Sequence, residues 1–353
     1  MNKILSIIIP TYNMEAFLPR CLDSLIIPEN FEKLEVWIVN DGSKDRSSEI
    51  GHEYAAKYPD VFKVIDKPNG NYGSCINAAL PKCTGKYVRI LDADDWFDTY
   101  NFNQYIKDLS IYDVDLVITD MTHVDPVRNI NLKYCIKINS HHQIVNFKEV
   151  VQRPDFLGIQ MHYIAYRTTI FNEIDYHQTE GISYTDQEWI FSPMTRVRQI
   201  VALPYVIYNY LIGREGQTVD RNVFMKSISH QIKSQETRLY LFEKYKNTSN
   251  EHKTYLLAKI SNSISATYLR YLNPAWNLSI DDLVKYDGML KKISPELYKL
   301  SYSFPIFPGW NYRFIQKWRS NINFRISRMV RIGLSLCELN NKKLFKFLKN
   351  IFL

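Results

Sequence analysis

The first 120 residues alternate between short apolar runs and longer segments whose apolar residues recur at helical spacing. Each apolar run is continuous, which is typical of strands buried on both faces of a sheet. Strands that alternate with helices in this way predict an α/β fold with a mostly parallel sheet and flanking helices. The predicted strands cover residues 5–10, 34–39, 61–65, 87–91 and 114–119, and the predicted helices cover residues 15–26, 45–58 and 74–80.

The pattern changes further along the chain. Residues 121–160 resemble an irregular insertion with one edge strand, residues 200–211 predict a last strand, and helical spacing dominates from about residue 224. We therefore expect a mixed domain over residues 1–220 and a helical extension over residues 221–353. No run of 18 apolar residues predicts a membrane-spanning helix, so a cytoplasmic protein is the default expectation.

Polar residues follow four consecutive predicted strands, at 10–13, 40–43, 67–74 and 92–96. In open α/β sheets the ligand binds beyond the carboxyl ends of the strands, so these segments are the candidate site. Asp41 offers a carboxylate that can accept the ring N–H of uracil.

The acidic segment after the fourth strand predicts a cation site. Asp92 and Asp94 lie on one turn and can converge on a hard divalent cation, Mn²⁺ or Mg²⁺. The alternative is a solvated acidic turn that caps a helix beginning near Trp96.

Five motifs in this region together resemble glycosyltransferase family 2, the inverting enzymes with the GT-A fold. In order they are IIPTYN at 8–13, CLDSL at 21–25, VNDGSKD at 39–45, NGNYGS at 69–74 and LDADDW at 91–96. The resemblance implies that a UDP-sugar is the donor and that Asp92 and Asp94 hold Mn²⁺ or Mg²⁺ on its diphosphate. In a later loop, Arg214 or Gln217 would close over the diphosphate, with a plain surface loop as the alternative. The nucleotide-sugar-binding residues implied are Pro10, Thr11, Tyr12, Asp41, Asn69, Gly73, Asp92, Ala93, Asp94 and Arg214.

The resemblance also implies a catalytic base in a short acidic motif on a late helix. The matching segment is SYTDQEW at 183–189, and Asp186 is the expected general base. Glu188 is the rival, and a helix-terminal acid favoured by the helix dipole is the structural alternative for Asp186. Three positions depart from the family pattern: Asn40 and Thr185 replace frequent acids, and Ile76 replaces an arginine.

The net charge of +7 comes from the C-terminal segment. Residues 301–353 hold ten Lys/Arg and one acid, so residues 1–300 are slightly acidic. Trp310, Phe314, Trp318, Ile322, Ile326, Met329 and Val330 recur at three- and four-residue steps, which predicts one amphipathic helix.

Such basic helices suit the inner face of a cell membrane, and packing against the catalytic domain is the alternative. No nucleic-acid-binding module is present in the sequence, and nucleic acid is not an expected partner.

These observations predict a metal-dependent inverting glycosyltransferase. It would move a sugar from a UDP-sugar to a hydroxyl of a glycan or lipid-linked acceptor in cell-envelope polysaccharide synthesis, such as that of capsule or O-antigen. The alternative is a non-catalytic nucleotide-sugar-binding or scaffolding relative. A dinucleotide-dependent oxidoreductase is excluded by the first strand-to-helix turn, because residues 10–17 contain no glycine.

Overall fold

The computed structural model describes residues 3–138, 140–214, 221–304 and 312–327. The chain divides into two compact units, residues 1–234 and residues 235–353. The domain boundary expected near residue 220 stays a prediction, because residues 215–220 lie outside the described part of the chain.

The strands of the first unit form one ten-stranded sheet among the described residues. They are β1 (Leu5–Thr11), β2 (Leu34–Asn40), β3 (Phe62–Asp66), β4 (Tyr87–Ile90), β5 (Trp96–Phe97), β6 (Leu116–Asp125), β7 (Ile130–Tyr134), β8 (Ile144–Asn146), β9 (Ile164–Arg167) and β10 (Gln199–Leu211).

The strand order is β3-β2-β1-β4-β9-β6-β10-β5, with β7 paired to β6 and β8 paired to β10. The first four strands pair in parallel, and β10 runs parallel to β6. Strand β9 is antiparallel to both of its neighbours, β4 and β6. The predicted α/β class with a mixed, mostly parallel sheet is therefore confirmed. The continuous apolar runs form its centre, where β1 has five fully buried positions in a row.

The helices of the first unit are α1 (Leu18–Asp23), α2 (Ser47–Lys57), α3 (Asn71–Ala79), α4 (Thr99–Leu109), α5 (Phe147–Val150), α6 (Pro154–Leu157), α7 (Thr169–Glu173), α8 (Asp186–Trp189), α9 (Arg221–Lys226) and the start of α10 (Ile228–Tyr245). The helix predicted over residues 15–26 is shorter than expected. Its first residues are held in a loop, because the backbone N–H groups of Met14 and Glu15 donate to Ser47 Oγ and Asp45.

A buried carboxylate joins the first, second and fourth strands. Glu35 lies in β2 with no solvent exposure. Its carboxylate accepts hydrogen bonds from Ser6 Oγ of β1 (2.5 Å) and from Thr84 N (2.5 Å), Thr84 Oγ1 (3.1 Å) and Gly85 N (3.2 Å), just before β4. Because a buried carboxylate is stable only when its lone pairs are satisfied, these bonds fix the strands on which the candidate site is built.

The second unit is helical in its described part. It holds the rest of α10, then α11 (Asn250–Leu272), α12 (Ile280–Ile293), α13 (Pro295–Leu300) and α14 (Phe314–Ser320). Among the described residues no helix has the length and apolar character needed to cross a membrane.

The single amphipathic helix predicted over residues 310–330 is wrong within the described residues. Only α14 is helical, and residues 321–327 are not. Trp318 of α14 is 4% exposed and packs edge-on against Tyr268, while Arg319 forms an ion pair with Asp287 at 2.8 Å. This part of the tail therefore packs on its own helical unit, and packing on the catalytic domain stays untested. Trp310, Met329, Val330 and residues 342–353 lie outside the described residues.

Replacing Glu35 tests the junction between the strands. We expect Glu35→Ala to lower the free energy of unfolding by about 2–4 kcal/mol, because it removes the acceptor shared by donors on Ser6, Thr84 and Gly85. Urea unfolding followed by circular dichroism measures the change. Glu32→Ala, at an exposed position, is the matched control and should change stability by less than about 0.5 kcal/mol. Equal losses of stability in Glu35→Ala and Glu32→Ala would contradict the role of Glu35 in joining the strands.

Candidate active site at the carboxyl ends of the strands

The acidic turn between β4 and β5 is anchored by its last carboxylate. Asp95 is fully buried, and its two oxygens accept hydrogen bonds from Tyr208 Oη at 2.7 Å and from Leu211 N at 2.7 Å, both on β10. Burial raises the pKa of the Asp95 carboxyl well above its usual range, and the negative charges of Asp94 and Asp92 raise this pKa further.

The acidic turn does not cap a helix. Residues Trp96–Phe97 form β5, and the next helix, α4, is capped by Asp98, whose side chain accepts from Asn101 N at 2.9 Å. The alternative interpretation of Asp92 and Asp94 as cap residues is therefore wrong, and the turn needs another explanation.

Asp92 is held from three sides. Tyr72 Oη donates to its Oδ1 at 2.8 Å, His162 Nε2 lies 3.5 Å from its Oδ2, and its backbone N–H donates to Tyr208 Oη at 3.2 Å. Burial raises the pKa of the Tyr72 hydroxyl, and the Asp92 charge adds to this effect, so Tyr72 stays a hydrogen-bond donor.

Asp94 and Arg214, two residues predicted to lie in one site, contact each other. Arg214 Nη2 lies 2.9 Å from Asp94 Oδ2, and Arg214 Nε donates to the same oxygen at 3.0 Å. Burial and the neighbouring Asp92 raise the pKa of the Asp94 carboxyl, and the Arg214 charge partly reverses this rise. Gln217, the other candidate in this loop, lies outside the described residues.

The turn and His162 together offer a set of ligands that suits a divalent cation. One oxygen of Asp92, one oxygen of Asp95 and one ring nitrogen of His162 lie within 4.8 Å of one another. Carboxylate and imidazole groups are common ligands of Mn²⁺, so the residues fit such an ion. The buried His162 Nδ1 has no hydrogen-bond partner among the described residues. Asp94, the other predicted ligand, lies outside this group of three, so its role as a ligand stays a prediction.

The residues predicted to hold the nucleobase come from neighbouring loops. The backbone of Asp41 donates to the backbone oxygen of Thr11 at 2.8 Å, which joins the ends of β1 and β2. Asn69 Nδ2 donates to the backbone oxygen of Asp41 at 3.0 Å. Tyr12, which follows Pro10 and Thr11, is 46% exposed, so its ring is accessible to a ligand.

Asn40, one of the departures from the family pattern, has a structural contact. Its side chain donates to Asp66 Oδ1 at 2.7 Å and accepts from Ser43 N at 3.0 Å. Asp41 is therefore the residue of positions 40 and 41 that supplies a carboxylate. It is 2% exposed and accepts a hydrogen bond from Gly70 N in the loop after β3.

Gly73 explains why the loop at 177–181 can lie against α3. A Cβ atom at Gly73 would lie 2.0 Å from the backbone oxygen of Thr179, which no side chain tolerates. Gly181 N also donates to the backbone oxygen of Gly70 at 2.8 Å. The chain leading to Asp186 is thereby fixed on the segment that carries the NGNYGS motif.

Asp186 and Glu188 have different surroundings. Glu188 is 1% exposed, and its Oε2 accepts from Thr179 N at 2.9 Å and from Thr179 Oγ1 at 3.1 Å. Asp186 is half-buried at the start of α8, with Gln187 Nε2 at 3.1 Å from its Oδ2. Glu188 thus orders the loop from within, which weakens its case as a base.

Two tyrosines connect Asp186 with the acidic turn. Burial raises the pKa of Tyr210 above its usual range, and the charges of Asp95, Asp92, Asp94 and Asp186 all add to this rise. Tyr72 is affected by both Asp92 and Asp186. The predicted base and the acidic turn therefore lie close enough to act on the same side chains.

Several side chains in this cluster carried no signal in the sequence. Tyr208 and Tyr210 lie on the last strand, more than 100 residues from the acidic turn. His162 directly precedes β9, and the pairing of β9 with β4 brings it to Asp92. Lys67 lies in the polar segment at 67–74 but is not among the residues predicted for the site.

Comparisons with known proteins agree with this geometry. Residues 6–174 match the family model "Glycosyl transferase family 2". The "Uncharacterized glycosyltransferase EpsJ" of Bacillus subtilis (strain 168) is 33% identical over 117 residues, which cover 33% of this chain and 33% of EpsJ. The "Minor teichoic acid biosynthesis protein GgaB" of the same organism is 36% identical over 107 residues, covering 30% of this chain and 12% of GgaB. The chain thus matches about a third or less of the length of these curated relatives.

The fold has a solved counterpart over nearly its whole length. The crystal structure of S. aureus TarS 1-349 in complex with UDP-GlcNAc superposes with a TM-score of 0.65 at 18% identity, covering 92% of this chain and 93% of that chain. The first unit therefore has the architecture of GT-A glycosyltransferases. Residues 6–174 are a glycosyltransferase family 2 domain by the matched family model, and the family predicted from the five motifs is confirmed over this segment.

The two acids of α8 should respond differently to substitution. We expect Glu188→Ala to lower the free energy of unfolding by about 1–3 kcal/mol, because it removes the acceptor for the N–H and hydroxyl of Thr179. Asp186→Asn should leave stability within about 0.5 kcal/mol of the wild type. Thermal unfolding of both variants measures the difference, and a greater loss for Asp186→Asn would reverse these assignments.

Proposed function

We propose that this protein is a metal-dependent inverting glycosyltransferase that moves a sugar from a UDP-sugar to a hydroxyl of a glycan or lipid-linked acceptor. The observation that carries the proposal is the arrangement around Tyr72. This side chain donates to Asp92 of the acidic turn and lies within electrostatic reach of Asp186. Asp92, the proposed diphosphate-site carboxylate, and Asp186, the proposed base, therefore both act on the same tyrosine.

The donor nucleotide would lie across the ends of β1 to β4. Asp41, Thr11 and Tyr12 would receive the base, with Pro10, Asn69 and Gly73 shaping the loops around it. The backbone of Asp92, Ala93 and Asp94 would follow the ribose and diphosphate. Arg214 would exchange its contact with Asp94 for the diphosphate, since a guanidinium binds phosphate oxygens with the same paired geometry as a carboxylate.

The cation would be held by Asp92 and Asp94, as the motif implies, or by Asp92 with Asp95 and His162, as the distances allow. Bound Mn²⁺ or Mg²⁺ supplies a positive charge that stabilises negative charge on a diphosphate leaving group. Without it, the clustered carboxylates would repel a diphosphate, because burial weakens the screening between like charges.

Asp186 would act as the general base. Its carboxylate takes the proton of the acceptor hydroxyl while the acceptor oxygen bonds to the anomeric carbon. The bond from that carbon to the diphosphate oxygen breaks on the opposite face, and the electron pair leaves with the nucleoside diphosphate. Attack opposite the leaving group inverts the anomeric configuration.

The names of the similar proteins support a polysaccharide or teichoic-acid setting. GgaB is named for minor teichoic acid biosynthesis, and TarS was crystallised with UDP-GlcNAc. Both involve cell-envelope polymers or nucleotide sugars, which agrees with an acceptor hydroxyl on a growing envelope glycan. We place the protein in the cytoplasm, peripheral to the inner face of the membrane, where nucleotide sugars and lipid-linked acceptors meet.

Replacing Asp186 distinguishes an effect on sugar transfer from an effect on donor binding. We expect Asp186→Asn to lower sugar transfer about 100- to 10,000-fold, because the amide cannot accept the proton, while donor binding is retained. Release of nucleoside diphosphate from a panel of nucleotide sugars with Mn²⁺ and an envelope-glycan acceptor measures transfer, and calorimetry measures donor binding.

Asp94→Ala is the contrasting variant, since it should weaken donor binding itself. Wild-type protein that binds nucleotide sugars but transfers nothing would favour the non-catalytic alternative. A wild type that no nucleoside diphosphate stabilises in any divalent cation would refute the proposal.

The basic C-terminal segment should bind anionic lipid. Replacing four of its lysines by glutamine should weaken sedimentation of the full chain with vesicles containing 30% phosphatidylglycerol, because each contributes about 1 kcal/mol near such a surface. The four are Lys342, Lys343, Lys346 and Lys349. The same change at four exposed lysines of the helical unit is the matched control and should have less effect: Lys285, Lys291, Lys292 and Lys299. An equal loss of vesicle sedimentation in both variants would contradict a specific role of the C-terminal segment in lipid binding.

A further inference from the structure

Lys67, the first residue after β3, uses all three of its ammonium donors on neighbouring groups. Its Nζ donates to Asp41 Oδ1 at 2.6 Å, to the backbone oxygen of Pro68 at 2.6 Å and to Ser74 Oγ at 2.8 Å. The lysine side chain is 19% exposed. Because an ammonium group has three N–H bonds, Lys67 has none left for a ligand. Its contribution to a ligand site must therefore act through Asp41.

The two oxygens of the Asp41 carboxylate differ sharply. Oδ1 accepts from Lys67 Nζ and from Gly70 N at 2.9 Å, and Ser74 Oγ lies 3.4 Å away. Oδ2 has no hydrogen-bond partner among the described residues. The Asp41 side chain is 97% buried, its Oδ1 is saturated by the protein, and its Oδ2 stays available to a donor from a ligand.

We propose that Lys67 is a specificity-determining residue that limits Asp41 to a single hydrogen bond from the nucleobase and so selects an imide base, uracil or thymine, over guanine. This inference rests on the proposed function, because it takes Asp41 to face the base of the donor. It assigns Lys67 no contact with the ligand and no part in the chemical step.

The chemistry of the bases explains the selection. An imide presents one ring N–H between two carbonyl groups. When that N–H donates to Oδ2, a carbonyl oxygen lies on the Oδ1 side, where the positive charge of Lys67 attracts it. Guanine presents a ring N–H and an adjacent amino group, and a free carboxylate binds both through its two oxygens. With Oδ1 saturated, the guanine amino group loses this acceptor, and an unpaired donor in a buried site is costly.

The ratio of nucleotide affinities tests the role of Lys67. Calorimetry with Mn²⁺ would compare UDP, dTDP and GDP on the wild type, Lys67→Met and Ser74→Ala. We expect the wild type to bind UDP or dTDP at least about tenfold more tightly than GDP, the factor that corresponds to one lost hydrogen bond. Lys67→Met frees Oδ1 for the guanine amino group, so the preference should fall to about threefold or less. Comparing UDP with dTDP shows which imide base is preferred.

Ser74→Ala is the matched control, because it removes one partner of Lys67 and leaves the Lys67–Asp41 contact in place. It should keep the wild-type preference. A purely structural role for Lys67 would lower the affinities for all three nucleotides by a similar factor and leave their ratio unchanged, which would overturn the inference.

A modified nucleotide keeps the test independent of protein folding. UDP methylated at uracil N3 has no ring N–H, and we expect the wild type to bind it at least about tenfold more weakly than UDP. Equal binding of UDP and the methylated nucleotide, or of UDP and GDP, would overturn the inference while leaving the glycosyltransferase proposal intact. Failure of every nucleoside diphosphate to bind the wild type would instead refute the proposed function.

Discussion

The hydrogen bonds between Asp95 and β10 hold the candidate site together. Because both oxygens of this fully buried carboxylate are bonded to the last strand, the turn after β4 is attached to a segment more than 100 residues away. Tyr208, which donates one of these bonds, also accepts from the backbone of Asp92. Arg214 lies three residues beyond Leu211, the other donor, and so reaches Asp94. The positions of Asp92, Asp94 and Arg214 thus follow from the burial of one neighbouring acid.

Concentrating three carboxylates on one turn is electrostatically unfavourable, and the surroundings show how the fold compensates. Like charges about 4 Å apart repel by about 4 kcal/mol at an effective dielectric constant near 20. Arg214 offsets part of this at Asp94, while Tyr72 and Tyr208 donate hydrogen bonds to Asp92 and Asp95. The raised pKa values of Asp94 and Asp95 show that negative charge is still disfavoured there. A divalent cation would remove this strain, which agrees with the proposed donor site.

The sequence predicted the central sheet because apolar runs report burial directly, and it predicted the loops of the site because parallel strands carry their carboxyl ends to one edge. Contacts between distant segments had no such signal. Strand β9 enters antiparallel between β4 and β6, and this pairing brings His162 to Asp92. The tail was predicted as one long helix because its apolar spacing continues to residue 330, but the chain leaves the helix after Ser320, and Arg319 there pairs with Asp287. Helical periodicity states what a segment can form, whereas packing decides where it ends.

The roles of the acidic residues in the first unit depend on how many of their carboxylate oxygens already accept hydrogen bonds from the protein. Glu35 and Asp95 have both oxygens bonded to the protein and hold strands together. Glu188 receives two bonds from Thr179 on one oxygen and orders the loop on which Gly73 packs. Asp41 has one saturated oxygen and one that no described residue contacts by a hydrogen bond. It can therefore accept one further hydrogen bond, from a donor in one defined direction. Acidic residues thus serve as a strand junction, a loop support and a recognition group. All of them can carry a negative charge, so the number of acceptor positions left on the carboxylate distinguishes these roles more clearly than the charge does.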